Sequence, residues 1–72
     1  MSGTLSKAQR AALDVIIANG SVSVAELAEH LGTSPGGAAQ TASSLVRHGR
    51  VVRTRATGGV RYETPAYAER RR

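Results

Sequence analysis

A chain of 72 residues with a formal net charge of +5 and no cysteine makes one domain, with neither disulfide staples nor thiolate metal sites to help it fold. At this length only about 60% of the unfolded surface can be buried, and without Phe or Trp the core must come from aliphatic side chains and two tyrosines. The apolar runs are too short for a membrane-spanning helix, and no basic segment followed by an apolar one opens the chain, so the expectation is a soluble cytoplasmic protein without a signal peptide.

The segment SKAQRAALDVIIANG opens on Ser6 with Gln9 three residues later, the pattern of a capping box, and closes on Gly20. Gln9, Ala12, Leu13, Ile16 and Ile17 recur at helical spacing and predict the buried face of a first helix. Ser21–Ser23 is too short for a helix and reads as a brief strand. The same grammar then repeats in SVSVAELAEHLG, with Ser23 as N-cap, Glu26 at the third helical position and Gly32 as the stop. Val24, Leu27, Ala28 and Leu31 form the apolar stripe of this second helix.

A third helix starts at Ser34, a good N-cap, with Pro35 at the first helical position, where its missing N–H costs nothing. Ala38, Ala42, Leu45 and Val46 point inward, and Gly49 ends the helix. Its opposite face carries Gly36, Gln40, Ser43, Ser44 and Arg47, with Gly37 at the edge: polar, small and free of acids. Only Gly32 and Thr33 separate the second helix from the cap of the third, a link short enough to make the two cross steeply. Two β-branched segments follow, VVRTR and VRYET, separated by ATGG, which together predict a hairpin.

The charge is distributed unevenly. Residues 1–46 carry Lys7 and Arg10 against Asp14, Glu26 and Glu29, whereas residues 47–61 carry Arg47, Arg50, Arg53, Arg55 and Arg61 with no acid at all. A GC-rich genome would explain nine arginines to one lysine, but not the absence of acids between positions 30 and 62. A one-sided basic patch is the electrostatic footprint of a polyanionic partner, most often nucleic acid.

The order helix, short strand, helix, tight turn, helix, hairpin resembles the winged helix-turn-helix superfamily of DNA-binding domains. VAELAEHLGTSPGGAAQTASSLVRHGRV is similar to the second and third helices of MarR-like repressors, and VRTRATGGVRYETP looks like their wing. The resemblance implies an α+β winged helix-turn-helix fold over residues 5–64, with residues 1–4 an N-terminal tail and residues 65–72 a basic C-terminal tail. It implies a reading helix formed by Ser34, Gly36, Gly37, Gln40, Ser43, Ser44 and Arg47. The wing would consist of Arg53, Arg55, Thr57, Gly58, Gly59 and Arg61, lying on the backbone or in the minor groove. Gly36 and Gly37 stand where many relatives carry base-reading side chains, and Arg50 replaces the usual apolar residue after the helix. The dimerisation helices and ligand pocket of MarR-like repressors have no counterpart in the sequence.

The side-chain chemistry agrees. A guanidinium donates two parallel hydrogen bonds to a phosphate, which gives affinity and register but no sequence information. Gln40 can donate to and accept from an adenine edge in the major groove. Gly36 and Gly37 would let the helix N-terminus approach a phosphate closely. His30 and His48 are isolated, the acids are scattered and the serines sit mostly at caps, so neither a metal site nor a catalytic constellation is expected. The expected partner is therefore double-stranded DNA, with no cofactor, membrane or small-molecule ligand, and with homodimerisation left open. The expected role is a small, nucleoid-associated transcriptional regulator rather than an enzyme. A winged-helix protein-docking module and a low-specificity architectural DNA binder are the alternatives.

Overall fold

The computed structural model describes residues 4–70, in the order α1 (Lys7–Asn19), β1 (Ser21–Ser23), α2 (Val24–Leu31), α3 (Pro35–Arg47), β2 (Val52–Ala56), β3 (Gly59–Glu63) and α4 (Pro65–Arg70). Nearly all of the expected N-terminal tail, residues 1–3, and Arg71 and Arg72 of the expected C-terminal tail lie outside the described residues. No described helix is long and apolar enough to cross a membrane.

The helix starts follow the sequence grammar. Gln9 N–H donates to Ser6 Oγ at 3.1 Å while Ser6 N–H donates to Gln9 Oε1 at 2.9 Å, and Ser23 and Glu26 form the same reciprocal pair at 2.9 and 3.1 Å. At α3, Gly37 N–H donates to Ser34 Oγ at 3.2 Å, with Pro35 in the first turn. Each such cap satisfies backbone donors that the helix itself leaves without partners.

The sheet is antiparallel, with strand order β1-β3-β2, so the last strand in the chain lies in the middle. Val22 pairs with Tyr62 on one side of β3, and Arg53 pairs with Tyr62 on the other. The three helices pack against one face of this sheet. Their shared core contains Ala12, Ile16, Val22, Leu27, Ala28, Ala38, Ala42, Leu45, Val51 and Tyr62. Alanines at 38 and 42 on α3, with Ala28 on α2, keep the helix-turn-helix contact close while the larger Ile16, Leu27 and Leu45 fill the centre.

Three sequence expectations change here. Ile17 is 59% exposed, not buried, because the covered stripe of α1 runs through Ala12 and Ile16 with Leu13 and Val15 only partly covered. The start of the expected tail is helical: Thr64 Oγ1 accepts from Tyr67 N–H at 3.1 Å and Pro65 opens α4. Tyr67 of that helix is not a core residue like Tyr62 but lies over Gly20, where an added Cβ would stand 2.6 Å from its Cδ2. Gly20, at φ +79°, is thus required both by the backbone turn and by the ring above it.

A candidate nucleic-acid interface

The hairpin turns through Thr57 and Gly58, with Ala56 opposite Gly59. Of the two glycines at its tip, only Gly59 has a positive φ, at +126°. This register decides where the arginines point, because directly opposed residues share a face of the sheet and successive residues alternate. Arg53 opposes Tyr62 and Arg55 opposes Val60, so both belong to the face that packs on the helices. Arg61 opposes Thr54 and Ser23 and belongs to the far face.

On the helix-facing side, Arg53 meets α3. Ser43, Val46, Arg47 and Arg53 line an open recess of about 200 Å³ between the helix and the hairpin. Gly36, Gln40 and Arg47 are exposed on α3, with Gly37, Ser43 and Ser44 partly covered, and Arg53, Arg55, Thr57 and Gly58 are exposed on the wing. Ser34 is spent on its cap. Arg47, Arg53 and Arg55 have no ion pair among the described residues. Arg50, by contrast, lines a separate recess of about 260 Å³ with Arg10, Asp14 and Leu13 of α1.

On the far side, the expectation of an unpaired Arg61 is corrected. Its Nε donates to Ser21 Oγ at 2.8 Å, and its Nη2 donates to the Ser21 carbonyl at 3.2 Å and to Glu26 Oε1 at 3.3 Å. Ser21 Oγ in turn donates to Glu63 Oε2, and Thr54 Oγ1 donates to Glu63 Oε1, both at 3.2 Å. Glu63 is only 3% exposed. The backbone N–H of Ser23 is the main cause that holds the Glu26 carboxyl below its ordinary value of 4.5; partial loss of hydration opposes it, and the Arg61 guanidinium and the Ser23 hydroxyl add to the lowering.

The arrangement offers a basic, acid-free cleft edge formed by a helix and a hairpin. Among the described residues no group of three His, Asp or Glu side chains is placed to hold a metal. A model of the MarR family matches residues 4–61. The chain belongs to the MarR family. Two solved structures share its fold: the YusO protein from Bacillus subtilis, at TM-score 0.81 and 21% identity over 93% of this chain and 50% of that one; and a MarR family protein from Bacillus stearothermophilus, at TM-score 0.77 and 24% identity over 92% and 47%. The chain therefore spans about half the length of these two proteins. No curated protein gives a match.

In this MarR-family domain α2 and α3 are the helix-turn-helix and β2–β3 the wing. The sequence grouped Arg61 with Arg47, Arg53 and Arg55; the recess joins Arg47 and Arg53, and the register puts Arg61 on the opposite face of the sheet from Arg53 and Arg55. It missed Ser21, Thr54 and Glu63 altogether. An acid at the end of a β-branched strand, opposite Ser21 on one neighbouring strand and diagonal to Thr54 on the other, is the signal that could have marked a polar network.

Proposed function

We propose that this MarR-family domain binds double-stranded DNA as the DNA-binding portion of a transcriptional regulator. Helix α3 enters the major groove, and Arg53 and Arg55 grip the flanking backbone. One observation carries this reading: the hairpin register puts Arg53 and Arg55 on the helix-facing side of the sheet, Arg53 shares a recess with Arg47 of α3, and none of the three has an ion pair among the described residues. Phosphates are the natural partners for such a row, because each can accept two parallel N–H donors. Gln40 is the only exposed amide on the α3 face and is assigned the adenine-reading role.

A second reading, low-specificity architectural binding, draws on Gly36 and Gly37. An added Cβ at Gly36 would meet nothing within 4 Å, so no internal packing calls for glycine there. A bare first turn favours close approach to the DNA backbone over side-chain readout. Titration against specific and random duplexes across a salt series tests both readings. Three phosphate contacts predict a slope of log K against log salt of about −3, and a two-fold pair of domains would double it. Gln40→Ala should cost about 1–3 kcal/mol on a specific site and little on random DNA. Equal losses on both favour the architectural reading, and a slope near zero rejects DNA binding in favour of a docking module.

A further inference from the structure

The far face of the sheet carries a chain of hydrogen bonds that the interface does not use. It runs Thr54–Glu63–Ser21–Arg61–Glu26, and so ties the outer strand of the wing, the central strand, the short first strand and the start of α2 to one another. Ser21 is its pivot, since the hydroxyl accepts from Arg61 and donates to Glu63. Thr54 is the member that reaches β2, which carries Arg53 and Arg55 on its other side.

We propose that this network is a positioning device for the wing: it fixes the inclination of β2 and β3 relative to α3, and Arg61 acts on DNA only through it, as a positioning residue and not as a phosphate contact. The inference rests on the DNA-binding reading given above, but its geometry does not. A two-stranded ribbon standing on its own is only marginally stable and twists easily. Here the wing shares β3 with β1, but β1 is only three residues long. Its backbone ladder alone therefore gives the hairpin root little leverage. A buried carboxylate accepting from a hydroxyl on each neighbouring strand holds both at a set distance. Arg61 in turn fixes the orientation of the Ser21 hydroxyl and carries the tie on to α2. Charge-assisted hydrogen bonds are shorter and stronger than neutral ones, which suits them to setting an angle. Helix α2 leads through its tight turn into α3, so the angle set at Ser21 is an angle to the reading helix.

Two variants that remove no charge test this. Thr54→Val keeps the β-branched shape but deletes the donor to Glu63, and Arg61→Lys keeps the cation but loses the planar two-nitrogen grip on Ser21. Each is measured on the full 72-residue chain by thermal melting, by titration with a random duplex at fixed salt, and by the separation of labels placed at Arg53 and Val46, which line one recess. The expected result is a folded protein in both cases, with roughly three- to tenfold weaker duplex binding and an altered or broadened Arg53–Val46 separation. In a background already carrying Arg53→Ala and Arg55→Ala, the same changes should have no further effect on binding, since the wing then has nothing left to place. If both variants bind as the parent does, or if their losses are undiminished in that background, the positioning role is overturned. Should one variant fail to fold, the other decides alone. If the parent fails to bind duplex DNA, the Arg53–Val46 separation still decides. Its change in the variants upholds the positioning device while the DNA-binding reading falls, and an unchanged separation overturns the device itself.

Discussion

The two faces of one three-stranded sheet handle arginine in opposite ways. On the face toward the helices, Arg53 and Arg55 oppose Tyr62 and Val60, are exposed and form no ion pair among the described residues. On the other face, Arg61 is drawn into a network with Ser21, Glu26 and, through Ser21, the buried Glu63. The residue type is the same and the strands are neighbours; only the side of the pleat differs. A count of arginines in a basic segment therefore overstates the charge available to a partner, and strand parity is needed to sort those that present charge from those that organise the fold.

The largest expected effect on stability comes from the helix-facing side. Tyr62→Ala removes the one aromatic side chain of the core and should cost about 3–5 kcal/mol, enough to unfold much of so small a domain, as read by urea titration. Glu63→Gln, on the far face, should cost less, about 1–3 kcal/mol, because one amide oxygen can still accept from Thr54 or Ser21 but not with a full charge. If Glu63→Gln proved as damaging as Tyr62→Ala, the far face would be part of the core in energetic terms and the contrast would fail.

A smaller effect is expected from Glu26, which is measured through pH. Its pKa is lowered in the folded state, so its contribution is present above the unfolded value of 4.5 and is lost as pH falls from there through the folded pKa. The parent should thus lose melting temperature more steeply below pH 4.5 than Glu26→Gln does, and parallel curves would show that the Ser23 and Arg61 contacts do not differ between protonation states. The smallest effect belongs to the exposed arginines. Arg53→Ala with Arg55→Ala should shift stability by no more than about 0.5 kcal/mol while weakening binding to any duplex and making the salt slope shallower by about two units. A large drop in melting temperature would place these two residues in the fold rather than at the interface.

Much of this was legible in the sequence because the signals are local. The serine caps with Gln9 and Glu26, the Ser34–Pro35 start and the ATGG turn each act over a few residues, and the helices, the hairpin and even its register with Arg55 opposite Val60 follow from them. That register already implies that Arg61 faces away from Arg53 and Arg55 once Tyr62 is placed in the core. The Thr64–Pro65 start of α4 repeats the grammar of Ser34–Pro35 and was equally open to reading. The partners of Arg61 were not. They depend on β1 pairing with β3 far along the chain, at a sequence separation of 40 for the Arg61–Ser21 bond, and no local pattern announces which serine a distant arginine will meet. Ile17 was misplaced for a related reason: helical periodicity gives the apolar side of α1 but not how wide a stripe its neighbours cover.

Because β3 lies between β1 and β2, the sheet cannot assemble in the order in which the chain is made. Through synthesis of the three helices and β2, β1 waits with open backbone donors and acceptors, and β2 has nothing beside it. Residues 59–63 then supply both missing ladders at once. Long-range strand pairing of this kind is slow relative to helix formation, so the closing event of folding should be the insertion of β3. A nascent chain stalled short of Glu63 would hold a formed helix-turn-helix beside two exposed strand edges, and such edges invite pairing between chains. The wing is thus also the keystone strand's outer half, and its completion separates an aggregation-prone helical intermediate from the finished domain.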